Sequence, residues 1–268
     1  MNKQYLSELN GLPEHERQTQ LFGNWFAQPK GHSVFKREFL HGLDPKYPAV
    51  LPSRAKCVRS WDKAYREPSE KNRYPDYTAS IKMYKCTNSE YWIAGDFDEN
   101  LHDDFKKGED IIYGRFRKNV GTRNDWMLQQ AQLDGVGCVV VIPEEGGAGL
   151  GEYEQMRNMF RDEGFTVMGA KTGNKKGGKG LRFSSFAVAA EQGGVHILPE
   201  TFPNKATLNA FLTELEKFDP EGKSSAKIKD DWVDCVSDCF LNLQKVKNRK
   251  PMSAGTATAT KLAEYKRH

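Results

Sequence analysis

"VGCVVVI", residues 136–142, decides the fold class. Six of its seven residues from Val136 to Ile142 are apolar, and three in succession are valine. Period-2 alternation is missing, so both faces of such a strand must be covered, as at the centre of a parallel sheet. A helix-like stretch, "RNDWMLQQAQLDG" (123–135), comes before it and stops at Gly135. "LGEYEQMRNMFRDEG" (150–164) follows as a second helix with its own glycine stop. Further along come a strand "FTVMGA" (165–170), a helix "LRFSSFAVAAEQGG" (181–194) and a strand "VHILP" (195–199). Two more helices close the series, in "KATLNAFLTELEKF" (205–218) and "DDWVDCVSDCFLNLQKVK" (230–247).

Upstream the texture differs. "AKCVRSWDKA" (55–64) reads as a buried strand ending in an acid. "DYTASIKMYKC" (76–86) and "EYWIAGDFDE" (90–99) alternate apolar and polar residues across the turn "TNS". Consecutive antiparallel strands followed by β/α alternation predict an α/β fold, a mixed sheet flanked by helices. Residues 1–54 read as an N-terminal linker, with helical patterning in "QYLSEL" and "ERQTQLFGNWF" broken by "AQPKGH" and "GLDPKYPAVLPS". Residues 55–248 form the domain, and 249–268 a basic tail poor in bulky apolar residues.

Composition excludes several classes. The chain has 268 residues, 28% of them charged, with a net charge of +4 and a mean hydropathy of −0.72. No apolar run approaches the roughly 18 residues of a membrane span, and the first residues lack a signal core. A cytoplasmic location is the default expectation. Five scattered cysteines do not make a disulfide framework, and Cys235 and Cys239 have no further Cys or His at metal-ligand spacing.

The basic loop "GAKTGNKKGGKG" (169–180) imitates a P-loop from Gly173 to Lys179. The next residue is Gly180 rather than the Ser or Thr whose hydroxyl holds Mg²⁺. Lys171, Lys175, Lys176, Lys179 and Arg182 occur there without an acid. Such a cluster suits a polyanion backbone or is a solvated loop.

Three acidic positions are suggestive. Asp62 ends the first strand, Glu144 and Glu145 follow the central one, and Asp230, Asp231 and Asp234 open the last helix. Ligands of open α/β sheets gather at the carboxyl ends of strands. Converging carboxylates suit Mg²⁺ or Mn²⁺. Periodicity alone gives another reading of the last helix. Val233, Val236, Phe240 and Leu243 form its apolar stripe, and Asp231, Asp234 and Asp238 lie opposite, as on a solvated face.

The phrases "RSWDKA", "PDYTAS", "AQLDG…VVVIPEEGGAG", "KGLRFSSFAVAAEQGGVHILPE", "FLTELEKFDP" and "KDDWVDCVSDCF" run in one order over about residues 55–245. In that order the chain resembles the nuclease domain of bacteriophage terminase large subunits. "YLSELNGLPEHERQTQLFGNWF" (5–26) resembles the segment that joins that family's ATPase motor to its nuclease. The resemblance implies an RNase H-like fold and two-metal cutting of concatemeric viral DNA during packaging, with two Mg²⁺ or Mn²⁺ ions. It implies Asp62 as the central ligand, Glu144 as the second with Glu145 in reserve, Asp234 as the third, Asp231 as an auxiliary ligand and Asp76 as a weaker one. Where relatives carry an "EQEPG"-like phrase, this chain has Ile142 and Pro143 at the first two positions. The basic loop then becomes a sequence-independent contact to double-stranded DNA. The implied partners are the ATPase motor, the small terminase subunit and the portal protein. Two alternatives use the same features: an RNase H-like junction resolvase or integrase, and a non-catalytic DNA-binding docking module. A nucleotide-binding protein using the basic loop is a further one.

Overall fold

The computed structural model describes residues 34–73, 75–102, 111–144, 149–171, 178–220 and 229–246. Its centre is a mixed sheet of seven strands. They are β1 (Lys56–Asp62), β2 (Thr78–Lys85), β3 (Tyr91–Ala94), β4 (Arg115–Phe116), β5 (Cys138–Glu144), β6 (Val167–Lys171) and β7 (Val195–Ile197). The spatial order is β6-β5-β1-β2-β3-β7, with β4 beside β2. The hairpin-linked trio β1, β2 and β3 is antiparallel. β5 joins β1 in parallel, and β6 joins β5 in parallel. This is the RNase H-like arrangement, and the valine-rich strand lies inside the sheet between β1 and β6.

Among the described residues five α-helices cover the sheet: α1 (Val120–Asp134), α2 (Gly149–Asp162), α3 (Gly178–Glu191), α4 (Lys205–Lys217) and α5 (Asp231–Leu243). Local signals set their ends. The Asn119 side chain accepts from the Thr122 backbone N–H, capping α1. Gly135 ends α1 at φ 78°, a conformation that favours glycine. Asn204 caps α4 through Thr207 in the same way as Asn119.

The pleat sorts side chains to two cores. Val58, Ile81, Val139 and Val141 face a layer containing Phe183 and Phe186 of α3, Phe211 of α4, and Trp232, Val236 and Phe240 of α5. Trp61, Val140 and Ile142 face Met127 of α1 and Met156 and Phe160 of α2. Val34, Phe35 and Leu40 join the first core, Phe35 against Phe183 and Phe186. The helical patterning in residues 4–26 and the tail from 249 lie outside the described residues.

One buried polar network ties α1 to the sheet. Arg59 of β1 is paired with Asp134 at the end of α1 and donates to the backbone oxygens of Gly95 and Asp96 at 3.0 Å. Lys82 of β2 reaches the same Asp134 at 3.0 Å. Among the described residues no helix is long and apolar enough to cross a membrane.

Candidate active site

Asp62 is the last residue of β1, opposite Ala79 of β2. Alternation along β1 puts Val58, Ser60 and Asp62 on the face that α5 covers. α5 lies across β1 and β2. Its Cys235 thiol donates to the Ala79 carbonyl at 3.3 Å, and its Trp232 indole donates to the Ser80 carbonyl at 3.1 Å. These bonds bring the first turn of α5, with Asp231 and Asp234, beside Asp62.

The electrostatics record that proximity. Burial pushes the Asp62 carboxyl well above the usual carboxylate range, and the charges of Asp234 and Asp231 push it further. Burial raises Asp231 to about 7 and Asp238 to about 6. Asp234 also rises through burial, opposed by Lys179. Acids that raise each other in a shared, poorly solvated place are a mark of functional sites.

The acid face of α5 is therefore not the solvated face that periodicity alone predicts. Asp231 is 4% exposed and Asp238 5%. The reason is tertiary: Asp231 lies toward Arg115 and Lys229, and over the rest of the face α3 packs on α5 and brings two cations. Lys179 Nζ lies 2.5 Å from Asp230 Oδ2 and 2.6 Å from Asp234 Oδ2. Arg182 reaches Asp234 at 3.1 Å and Asp238 at 3.4 Å. Lys179 and Arg182, read in the sequence as a polyanion contact, thus face carboxylates. Lys175 and Lys176 lie outside the described residues, and Lys171 ends β6.

Glu144 ends β5 on the same parity as Val140 and Ile142, the face of α1 and α2, opposite to that of Asp62. Its carboxylate lies over Gly169 of β6, where an added Cβ would sit 2.8 Å from Glu144 Oε2 and 2.9 Å from the Tyr153 hydroxyl. Glu145 lies outside the described residues. Asp76 is at the rim, 2.5 Å from Lys229 Nζ, and its charge contributes to the raised Asp231. Lys63 points to the far face and pairs with Glu152 of α2 at 3.4 Å.

Gly180 also bears on the P-loop-like stretch. It sits in the first turn of α3, and a Cβ there would meet the Pro220 carbonyl at 2.6 Å. A Ser or Thr at this position has no room. The neighbouring Lys179 faces acids, whereas a P-loop lysine faces phosphate.

The donor chemistry of Asp62, Asp231 and Asp234 fits a hard divalent cation. Asp231 Oδ2 is buried without a hydrogen-bond partner, an orphan acceptor of the kind an ion satisfies. Among the described residues, no group of three or more His, Cys, Asp or Glu side chains closes around a common point as a metal site. Lys179 and Arg182 hold the charge balance instead. One contributor that sequence reasoning missed is Glu214 of α4, buried behind the first turn of α5. It stands in "FLTELEKF", where an acid among Phe211, Leu212 and Leu215 was the available signal.

Fold and acidic face together define an RNase H-like α/β domain with a carboxylate cluster at the end of its first strand. No protein-family profile matches the sequence, and no curated protein matches it. Among solved structures the chain is similar in fold to terminase nuclease domains. One is the large terminase nuclease of a thermophilic phage, at 15% identity over 78% of this chain and 98% of that one, TM-score 0.44. Another is the human cytomegalovirus terminase nuclease domain, at 8% identity over 78% and 94%, TM-score 0.46. A Thermus phage large terminase nuclease domain gives 13% identity over 69% and 78%, TM-score 0.42.

Proposed function

We propose that this chain is a divalent-metal-dependent DNA endonuclease working in viral genome packaging. The observation that carries the reading is the meeting of Asp62 with Asp231 and Asp234 on one sheet face. The ordered sequence phrases that resemble terminase nucleases supply the substrate class. Asp62 and Asp234 would hold Mg²⁺ or Mn²⁺, with Asp231 as auxiliary. Two such ions, when bound, supply Lewis-acid activation of water and neutralise the leaving oxygen. The carboxylates would hold those ions at the end of β1, where their positive charge would draw the anionic phosphodiester, and the burial around them limits bulk water. Asp76 and Lys229 stand at the rim.

The remaining ligand is the open choice. Glu144 faces α2 rather than Asp62. Glu145, its neighbour in sequence, is therefore the first variant to make, with Glu144→Ala beside it. Lys171, Lys175 and Lys176 remain proposed contacts to the DNA backbone. Concatemer cutting, and association with an ATPase motor, a small subunit and a portal protein in the host cytoplasm, belong to the same proposal.

Supercoiled plasmid at low salt, with Mg²⁺, Mn²⁺ or EDTA, tests it. Nicking and linearisation that require metal and vanish in Asp62→Ala are the expected result. Plasmid bound but left uncut in both metals would overturn autonomous nuclease activity and favour a docking module. Cutting confined to branched DNA would favour a junction resolvase.

A further inference from the structure

The first N–H groups of a helix have no partner within it. Asp230 precedes α5, and its side chain makes no capping bond. A different residue serves that end. Glu214 Oε1, from α4, accepts the Trp232 backbone N–H at 2.6 Å. Glu214 Oε2 pairs with Arg115 of β4 at 3.2 Å, and the Glu214 side chain is 6% exposed. A carboxylate is rarely this buried unless it is fully engaged. The Arg115 guanidinium lies 4.6 Å from the Trp232 ring and 4.9 Å from the Tyr77 ring.

Trp232 stands between the acids of the site. It follows Asp231 directly and precedes Asp234 by two positions. Its indole N–H bonds to the Ser80 carbonyl of β2, next to Ala79, which is the ladder partner of Asp62. A continuous line of bonds thus runs from Glu214 through Trp232 to the strand beside Asp62. Movement of the first turn of α5 would separate Asp231 and Asp234 from Asp62.

We infer that Glu214 is a positioning residue that fixes the first turn of α5, so that Asp231 and Asp234 stay beside Asp62, where a divalent ion would draw them together. This rests on the nuclease reading given above. Glu214 touches neither substrate nor ion. It acts through the Trp232 backbone, and Arg115 holds its other oxygen in place.

The test compares the full chain with Glu214→Gln, Glu214→Ala and Asp62→Ala. Mn²⁺ affinity is measured by calorimetry or by the electron-paramagnetic signal of free Mn²⁺, and kcat and KM on plasmid are measured beside it. Glutamine keeps an acceptor for the Trp232 N–H, and alanine does not. Glu214→Ala is expected to weaken Mn²⁺ binding by about 10- to 100-fold, the range for residues that orient metal ligands. It should lower kcat and leave KM for DNA within about twofold, because the DNA contacts lie elsewhere. Glu214→Gln should recover most of the Mn²⁺ affinity. Wild-type Mn²⁺ affinity in Glu214→Ala would overturn the inference while leaving the nuclease reading intact. So would a Glu214→Gln variant that is folded yet as impaired as alanine. Should Glu214→Ala fail to fold, Glu214→Asp replaces it: the shorter side chain keeps the carboxyl group but withdraws the acceptor, and unchanged Mn²⁺ affinity there would likewise refute the role. A wild-type chain that neither binds Mn²⁺ nor cuts overturns both readings.

Discussion

Replacing Lys179 by methionine isolates the contest between an internal ammonium and an external ion. The stem of the side chain is kept and the charge removed. Lys179 Nζ sits 2.5 Å from Asp230 and 2.6 Å from Asp234. The three side chains are 33%, 44% and 21% exposed, so solvent screens both pairs. Each is then worth about 1 kcal/mol rather than the larger figure for a dry pair. A divalent ion on Asp234 displaces the Lys179–Asp234 pair, about 1 kcal/mol, which corresponds to about a fivefold change in affinity. Lys179→Met should therefore bind Mn²⁺ about fivefold more tightly in calorimetry at low salt. The difference should shrink as added salt screens the pairs. Unchanged or weaker Mn²⁺ binding in a folded Lys179→Met chain would refute the reasoning. The same variant separates the two readings of this lysine. A phosphate contact would reduce the salt slope of DNA binding by about one, whereas a residue held by Asp230 and Asp234 would leave it unchanged.

Two further expectations concern stability. Asp231 and Asp238 titrate near 7 and 6 in the folded chain, and Asp62 and Asp234 are also raised. The folded state therefore keeps protons that the unfolded chain releases near pH 4, and its stability falls as pH rises through about 5 to 8. His196, held below its usual range by burial, opposes this with a single group. Melting in EDTA should give a higher Tm at pH 5.5 than at pH 8, with Mg²⁺ restoring the loss; a Tm that rises with pH in EDTA would contradict it. Asp134→Ala strips the carboxylate partner from buried Arg59 and one of two from buried Lys82, which keeps Asp96 at 3.2 Å. Loss of one member of such a buried network costs about 3–5 kcal/mol, so urea unfolding should shift by that amount, and a shift under 1 kcal/mol would mean that water reaches Arg59.

Much of the fold was legible from periodicity and punctuation. The run Val139 to Ile142 lies inside the sheet as its unbroken apolar character implies. Gly135 and Gly164 stand just beyond the ends of α1 and α2. Asp62 ends β1, and Lys63 takes the other face. The burial of the acids on α5 was not legible, because a helical wheel knows one helix and not the helix packed on it. Packed neighbours convert that face from solvated to buried: α3 brings Lys179 and Arg182 to Asp234 and Asp238, and Asp231 lies toward Asp76, Arg115 and Lys229. The side of the sheet taken by Glu144 was readable in principle from its parity with Val140 and Ile142. The signal is masked by Pro143, which suggests that the strand has ended, whereas β5 continues through it beside β6. The acid among Phe211, Leu212 and Leu215 marks Glu214 as unusual in the sequence but not what it does, since its role depends on a backbone N–H 18 residues away.

Anomalous diffraction from crystals soaked in Mn²⁺ tests most directly whether Asp62 and Asp234 hold a divalent ion. A manganese peak shared by the carboxylates of Asp62 and Asp234, with Lys179 moved away from Asp234, is the expected result. Manganese absent from Asp62, or bound only at Glu144 on the opposite face of the sheet, would contradict it.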